Sequence, residues 1–354
     1  MKYVNNIKAM NEAFINHYSA SNSPSILSFP EEVTITASLK CNYRCSMCYQ
    51  KNFSDELDFQ AVEKIRPILP FAKTLQVFGG EPLLYPGVEK LYQIAHENNC
   101  NITMISNGSL LTERMINSIL DNQVMCIKIS LDAGTPETYK RIRGGDFFKV
   151  LRGVGLLTKG KLERGQQTPI LDFNFLAMRS NVGELIRLLV LAKELGIRAV
   201  NVFYPLMQTE EMAKDSVYFD QKYSDEMLIK ARETAKQLGV GLNLPALFCE
   251  SETAGGESGV RSLACRDPWT KALIGVNGDL SLCCGGAPYL GNLLQHEFED
   301  LWNNEKAQAI RKVVNTPQEP GYCKRCRIRK GDPRDVKMHM SPEIAQKINA
   351  ELAA

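Results

Sequence analysis

Histidine is nearly missing from this chain: there are four in 354 residues, and none within 20 positions of the cysteine-rich loop around residue 45. A zinc site that mixes Cys with nearby His ligands therefore has little to draw on there. Long apolar runs are missing too. No stretch approaches the roughly 18 residues of a membrane span, and the first thirty or so residues lack the basic start, apolar middle and small-residue cleavage site of a secretory signal, which points to the cytoplasm. Charge of one sign is also absent. With 42 basic residues against 40 acidic, the formal charge is +2, which gives no sign of a nucleic-acid partner and otherwise leaves partners open. What remains is a globular composition, 44% hydrophobic, enough for one large or two moderate domains.

Cysteine is not scarce. Eleven are present, and in a reducing compartment that suggests metal binding or catalysis rather than disulfides. Three are spaced C-x3-C-x2-C in Lys40-Cys41-Asn42-Tyr43-Arg44-Cys45-Ser46-Met47-Cys48-Tyr49, directly after the strand-like run Val33-Thr34-Ile35-Thr36-Ala37-Ser38. That spacing can set three thiolates on one face of a tight loop. Cysteine thiolates are the usual ligands of a cubane iron–sulfur cluster, so three of them hold three irons and leave the fourth open to chemistry. About thirty residues later, Val77-Phe78-Gly79-Gly80-Glu81-Pro82 closes a second strand-like run. Two such motifs in this order resemble the radical S-adenosylmethionine (SAM) family. The resemblance implies that the cofactor's amino and carboxylate groups chelate the open iron. An electron from the cluster then splits the sulfonium to methionine and a 5′-deoxyadenosyl radical. It also implies that Gly79 and Gly80 let the backbone approach the cofactor, while Glu81 receives its ammonium group.

Ile7, Met10, Phe14 and Tyr18 recur at helical spacing, so residues 1–30 are expected to hold a short amphipathic helix that caps a barrel. About thirty residues are too few for the leader-peptide recognition domain of some peptide-modifying relatives. From 33 to about 245, strand and helix signals alternate, which argues for βα units and a parallel sheet. Strands are expected near 33–38, 74–78, 101–106, 124–131, 169–177 and 198–203, and helices near 58–68, 87–98, 112–121, 146–158, 181–195 and 218–238. Six units match the α/β fold the resemblance implies, a partial (β/α)6 TIM-like barrel over 31–250. Chemistry in such barrels sits at the carboxyl ends of the strands, and Cys41–Cys48, Gly79–Glu81, Ser106-Asn107-Gly108, and Ser130 with Asp132 all follow strand ends. By resemblance Ser130 and Asp132 meet the cofactor's ribose and carboxylate, and Arg143 pairs with that carboxylate. As residues alone, Ser130 and Asp132 are equally helix caps, Arg143 the partner of a surface acid, and Asn107 a turn residue before Gly108. Met47 stands where relatives carry an aromatic residue, so Tyr49 or Tyr204 is expected to give the adenine its aromatic surface.

The Gly- and Ser-rich stretch 251–264 marks a boundary. Beyond it, Ala272–Val276 and Asp279–Leu282 flank Asn277-Gly278, a strong hairpin signal. After a helix expected over 296–314, Cys323-Lys324-Arg325-Cys326 supplies a C-x2-C pair. Cys265, Cys283, Cys323 and Cys326 are thus expected to converge in a small α+β domain over 251–330, followed by a tail or helix over 331–354. This looks like the shortened SPASM domain called twitch, which implies one auxiliary [4Fe-4S] cluster and two such clusters in the whole chain. A four-cysteine zinc site tolerates the same spacing. Lys324, Arg325, Arg327, Arg329, Lys330 and Arg334 could receive an anionic substrate, dock a flavodoxin or ferredoxin, or simply offset the charge of a four-thiolate cluster.

Of the remaining cysteines, Cys100 and Cys126 read as buried small hydrophobes, and Cys284 as a substitute ligand for Cys283. Cys249 follows the strand-like Val240–Pro245, where a thiol can either pack or return a hydrogen atom to a substrate radical. Two enzymatic readings follow. One is an oxidoreductase whose auxiliary cluster takes the second electron; relatives sharing the four-cysteine arrangement include an aminoglycoside-pathway alcohol dehydrogenase. The other is a redox-neutral epimerase with Cys249 as donor. A non-catalytic iron–sulfur or zinc protein is the third reading. The substrate, small molecule or peptide, is not named by the sequence.

Overall fold

The computed structural model describes residues 2–252, 264–324, 326, 344, 346–348 and 350. Ten strands form one sheet in the order β10-β9-β8-β1-β2-β3-β4-β5-β6-β7. They are β1 (Glu32–Ser38), β2 (Thr74–Gly79), β3 (Asn101–Ser106), β4 (Cys126–Ser130), β5 (Ile170–Leu176), β6 (Ala199–Phe203), β7 (Gly241–Asn243), β8 (Lys271–Ile274), β9 (Asp279–Ser281) and β10 (Gly291–Asn292). From β8 through β1 to β7 all pairs are parallel, while β9 and β10 turn back antiparallel. The helices are α1 (Lys2–Ala20), α2 (Phe59–Ile65), α3 (Val88–Glu97), α4 (Glu113–Asp121), α5 (Pro136–Arg143), α6 (Phe147–Glu163), α7 (Leu185–Glu194), α8 (Glu210–Lys214), α9 (Gln221–Leu238), α10 (Cys249–Glu252), α11 (Asp267–Thr270), α12 (Phe298–Trp302), α13 (Glu305–Val313) and α14 (Gly321–Lys324). This is an α/β partial barrel with a C-terminal domain.

Strand alternation builds two faces. In β5, Leu171, Phe173 and Phe175 are buried against the helical layer, while Asn174 and Leu176 are half-buried on the opposite, inner face. Helix α1 lies at the amino-terminal end of the strands: the Asn11 carboxamide both accepts from Phe29 N and donates to Phe29 O at 2.9 Å, just before β1. Its Nδ2 also reaches Phe71 O, just before β2.

Three differences from the sequence expectations have physical causes. The helix expected over 296–314 is broken into α12 and α13, because Asn304 leaves the helix to cap Ala307 N at 3.0 Å and Asn303 turns aside to bond Ile26 at both N and O. Helix α5 was not expected; Thr135 caps it, Pro136 starts it and Gly144 (φ +73°) ends it. The hairpin β8–β9 does not stand apart. Its first strand pairs with β1 from Glu32↔Lys271 to Ile35↔Ile274, so the C-terminal cysteines are attached to the barrel sheet itself.

Candidate functional site

The carboxyl ends of the strands surround a cavity of about 370 Å³, within the usual range for small-molecule sites. Cys41, Cys45 and Cys48 line it, together with Gly79, Gly80, Asn107, Ser130, Arg143 and Tyr204. The loop is held from three sides. Ser46 N donates to Ile142 O at 2.8 Å from the end of α5. Asn42 Nδ2 donates to Ser109 Oγ at 2.8 Å and Asn42 Oδ1 accepts from Asn107 at 3.0 Å. Arg44 turns back onto Cys41 O at 2.6 Å and stacks over Phe53.

Gly79 and Gly80 line the cavity and also make a second close approach, to the strand before the cysteine loop. Gly80 N donates to Ser38 O at 2.7 Å and Glu81 N to Lys40 O at 2.8 Å. A Cβ on Gly79 (φ +140°) would meet Ser38 O at 2.1 Å, and one on Gly80 would meet Lys40 O at 2.4 Å. The glycines therefore let β2 press against the backbone entering the cysteine loop.

Two acids expected at the cofactor are turned inward. Glu81 is fully enclosed and is not on the cavity wall: its carboxylate accepts from Ser106 Oγ (2.7 Å), Asn107 N (2.7 Å) and Leu83 N (3.1 Å). Burial raises its pKa, and these donors and Arg143 oppose the rise. Asp132 is likewise enclosed, accepting from Leu176 N at 2.7 Å and pairing with Arg143 at 2.5 Å. Both carboxylates lie behind the cavity lining, where these donors offset the cost of burial.

Arg143 does face the cavity. Its Nη1 lies 3.8 Å from Cys45 Sγ, while Cys45 Sγ lies 3.9 Å from Arg143 O. Burial pushes the free Cys45 thiol up to about 11, and the guanidinium works against that, favouring the thiolate a metal needs. Met47 is buried on the wall and Tyr49 is exposed at it; the Tyr204 hydroxyl donates to Ala246 O at 3.3 Å and its ring packs on Phe248. Cys249 is set apart from this cavity. It starts α10 at the surface, its backbone N donates to Asp225 Oδ2 at 2.7 Å, and hydrogen bonding to that carboxylate raises its thiol pKa.

A second, smaller pocket is lined by Cys265, Cys283, Cys323 and Cys326, with Asp267, Gly285 and Tyr322. Cys284 is exposed and not on its wall. Among the described residues, no three His, Cys, Asp or Glu are gathered tightly enough to hold one metal ion. Four cysteines around one pocket suit either a cubane, which takes each thiolate on a separate iron, or a four-cysteine zinc site. Of the basic tail, Arg325, Arg327, Arg329, Lys330 and Arg334 lie outside the described residues, as does most of the expected 331–354 segment.

Sequence reasoning missed Asn42 and Glu184. The Glu184 carboxylate accepts from Gly134 N, Thr135 Oγ1 and Thr138 Oγ1 at 2.6–2.9 Å, anchoring the start of α5 and so the placement of Ile142 and Arg143. Nothing in the local sequence marks it, because its partners lie about fifty residues away.

A barrel whose strand ends present three cysteines in one cavity, with four more in a second pocket, defines an iron–sulfur protein of the radical SAM type. Residues 35–172 match the radical SAM superfamily and residues 265–327 the SPASM iron–sulfur cluster-binding domain, and the chain belongs to that superfamily with SPASM at its C-terminal side. It is 24% identical to the AdoMet-dependent heme synthase of Methanosarcina barkeri over 82% of this chain and 86% of that one. To a probable GTP 3′,8-cyclase of Methanocaldococcus jannaschii it is 31% identical, over 49% of this chain and 59% of that one. The fold is similar to that of Streptococcus suis SuiB (TM-score 0.65, 17% identity, 86% of this chain and 72% of that one). It is also similar to that of anSMEcpe with bound AdoMet (TM-score 0.58, 16% identity, 92% and 99%).

Proposed function

We propose that this protein is a radical SAM oxidoreductase that removes hydrogen from a substrate C–H bond and passes the second electron to an auxiliary [4Fe-4S] cluster. In this reading Cys41, Cys45 and Cys48 hold the SAM-binding [4Fe-4S] cluster, and Cys265, Cys283, Cys323 and Cys326 the auxiliary one. SAM on the open iron supplies, after reductive cleavage, a 5′-deoxyadenosyl radical able to take hydrogen from an unactivated carbon. Residues 31–250 then form the cofactor-binding unit and 251–330 the auxiliary one, in a reducing cytoplasm with a flavodoxin or ferredoxin as electron donor.

The observation that supports the reading is that both cysteine sets adjoin one sheet, the first after β1 and Cys265 and Cys283 either side of the β8–β9 hairpin that pairs with it. The first follows Ser38 at the carboxyl end of β1. The second flanks β8, whose first residue, Lys271, pairs with Glu32 at the amino end of β1. Six steps of about 3.3 Å make β1 roughly 20 Å long. In this reading the substrate binds within reach of the cofactor, and the auxiliary cluster takes its second electron. Arg143, which lines the cavity, meets the cofactor's carboxylate in this reading while it pairs with Asp132, and Ser130, Asn107 and the backbone of Gly79 and Gly80 offer neutral hydrogen-bonding groups. Tyr49, Met47 and Tyr204 give the adenine an apolar surface.

Cys249 stands off the cavity wall, so among the described residues the redox-neutral alternative has no free thiol on that wall to return hydrogen. The test is product mass in deuterated water. A product two mass units lighter supports oxidation. Unchanged mass apart from one deuterium, lost in Cys249→Ala, would establish epimerisation in its place.

A further inference from the structure

The three cysteine sulfurs of the first site differ in what reaches them. Tyr43 N donates to Cys41 Sγ at 3.4 Å, and Arg143 Nη1 donates to Cys45 Sγ at 3.8 Å, while Cys48 is exposed. Of these donors only Arg143 brings a charge. The other cations of the loop are turned elsewhere: Arg44 donates to Cys41 O and Tyr43 O and stacks over Phe53, and Lys40 pairs with Glu56. Among the described residues, Arg143 is the one cation hydrogen-bonded to a sulfur of this loop.

The guanidinium is fixed in that position. Its Nε donates to Asp132 Oδ2 at 2.6 Å and its Nη2 pairs with the same oxygen at 2.5 Å. Asp132 therefore holds the Nε–Nη2 edge and leaves Nη1, on the other edge, for the sulfur. Asp132 is held in turn by Leu176 N. The Arg143 side chain is only 10% exposed, so solvent and salt screen its charge little. Two donors on Nη1 and two on Nη2 still leave N–H groups for a cofactor carboxylate after Asp132 and Cys45 are served.

We infer that Arg143 sets the reduction potential of the cluster held by Cys41, Cys45 and Cys48, through its contact with Cys45 Sγ. One electron from the flavodoxin or ferredoxin adds one negative charge to a centre that already carries three thiolates, and no proton need move. A fixed cation against one of those sulfurs stabilises the reduced form more than the oxidised, and hydrogen bonds to sulfur act in the same direction. The inference rests on the radical SAM reading and adds to it a second task for Arg143, separate from the cofactor's carboxylate.

A redox titration without SAM tests it. Full-length protein with Cys265, Cys283 and Cys323 replaced by Ala, so that the first cluster gives the whole signal, is reconstituted anaerobically, poised with mediators and read by EPR. At any one poise the reduced-to-oxidised ratio in Arg143→Gln should be about tenfold lower than in its Arg143 parent, a shift of about 59 mV for a one-electron couple. Iron should stay at about four per chain. Arg143→Lys keeps a charge but has one nitrogen to share between Asp132 and Cys45, so its ratio should be about threefold lower; it decides alone should Arg143→Gln not hold iron. If the parent does not hold iron, the substitutions are made in the wild type, where the first cluster is the EPR signal that changes when SAM is added. A potential unchanged or raised with iron retained overturns the inference, including the case in which only the half-saturating SAM concentration rises. Loss of iron from both variants overturns it too, since Arg143 would then only hold the loop. SAM cleavage by the wild type, lost in Cys45→Ala, is measured in parallel: its absence would sink the radical SAM reading, whereas cleavage with an unchanged potential sinks only the task given to Arg143.

Discussion

Gly80 is where one methyl group tests how the cysteine loop is held. Its added Cβ would lie 2.4 Å from Lys40 O and 2.6 Å from Leu39 O, both backbone atoms, so the entry to Cys41 must shift. In Gly80→Ala, the proposed content of about eight irons per chain should fall by about four while the melting temperature stays near that of the wild type; iron assay and thermal scan read the two effects separately. Glu81 yields a prediction of different form. Burial raises its carboxyl above the ordinary 4.5, so the folded state binds that proton more tightly than the unfolded. Its contribution to stability is complete below 4.5 and is lost as pH rises through the folded value. The melting temperature of metal-free wild type minus that of Glu81→Gln should therefore fall as pH rises from 4.5; a flat difference would show that burial does not shift the carboxyl. The Glu81 motif itself was legible in the sequence, but its direction was not: a carboxylate after a strand faces whichever side has the donors, and these come from Leu83 and from Ser106 and Asn107 on the next strand.

Among the elements, α5 does most to place the site, since its last turn delivers Ile142 O to Ser46 N and the Arg143 guanidinium to Cys45. Its start hangs on Glu184, whose carboxylate takes three donors. Glu184→Ala should lower stability by about 1 kcal/mol or more, the usual worth of hydrogen bonds to a charged group at a half-buried position, and reduce iron at the first site. Urea denaturation and iron content check both, and full iron retention would mean that α5 holds without it. The α5 signals, Thr135-Pro136 and Gly144, are readable in sequence once a helix is sought there. The break between α12 and α13 is less so, because it depends on Asn303 meeting Ile26 from the distant N-terminal segment.

Over the whole molecule, Arg311 joins parts that are far apart in the chain. It is fully buried, donates to Pro268 O, Pro24 O, Trp302 O and Asn303 Oδ1, and lies over the Trp302 ring. Burial pushes its pKa down to about 9, which leaves it charged at neutral pH. Arg311→Leu strips several buried acceptors of their donor at once and should cost about 3 kcal/mol or more, read as a lowered urea midpoint. The two proposed clusters separate at this scale as well. Replacing Cys265, Cys283 and Cys323 by Ala should leave about four irons and preserve SAM cleavage, whereas replacing Cys41, Cys45 and Cys48 should leave a similar amount and abolish it. Zinc near one equivalent in the wild type would instead remove the auxiliary cluster.

The sequence by itself determined what depends on neighbours along the chain. The C-x3-C-x2-C loop, the glycine pair after β2, the six βα periods and the Asn277-Gly278 hairpin are all local spacings, and a spacing fixes the loop or period that carries it. Only the tertiary structure decided where side chains point and which strands meet. It turned Glu81 and Asp132 behind the cavity lining, left Cys249 off the cavity, joined β8 to β1 and set Arg143 against Cys45. Each of those outcomes depends on donors, acceptors or register supplied by segments tens of residues away, which no local pattern encodes.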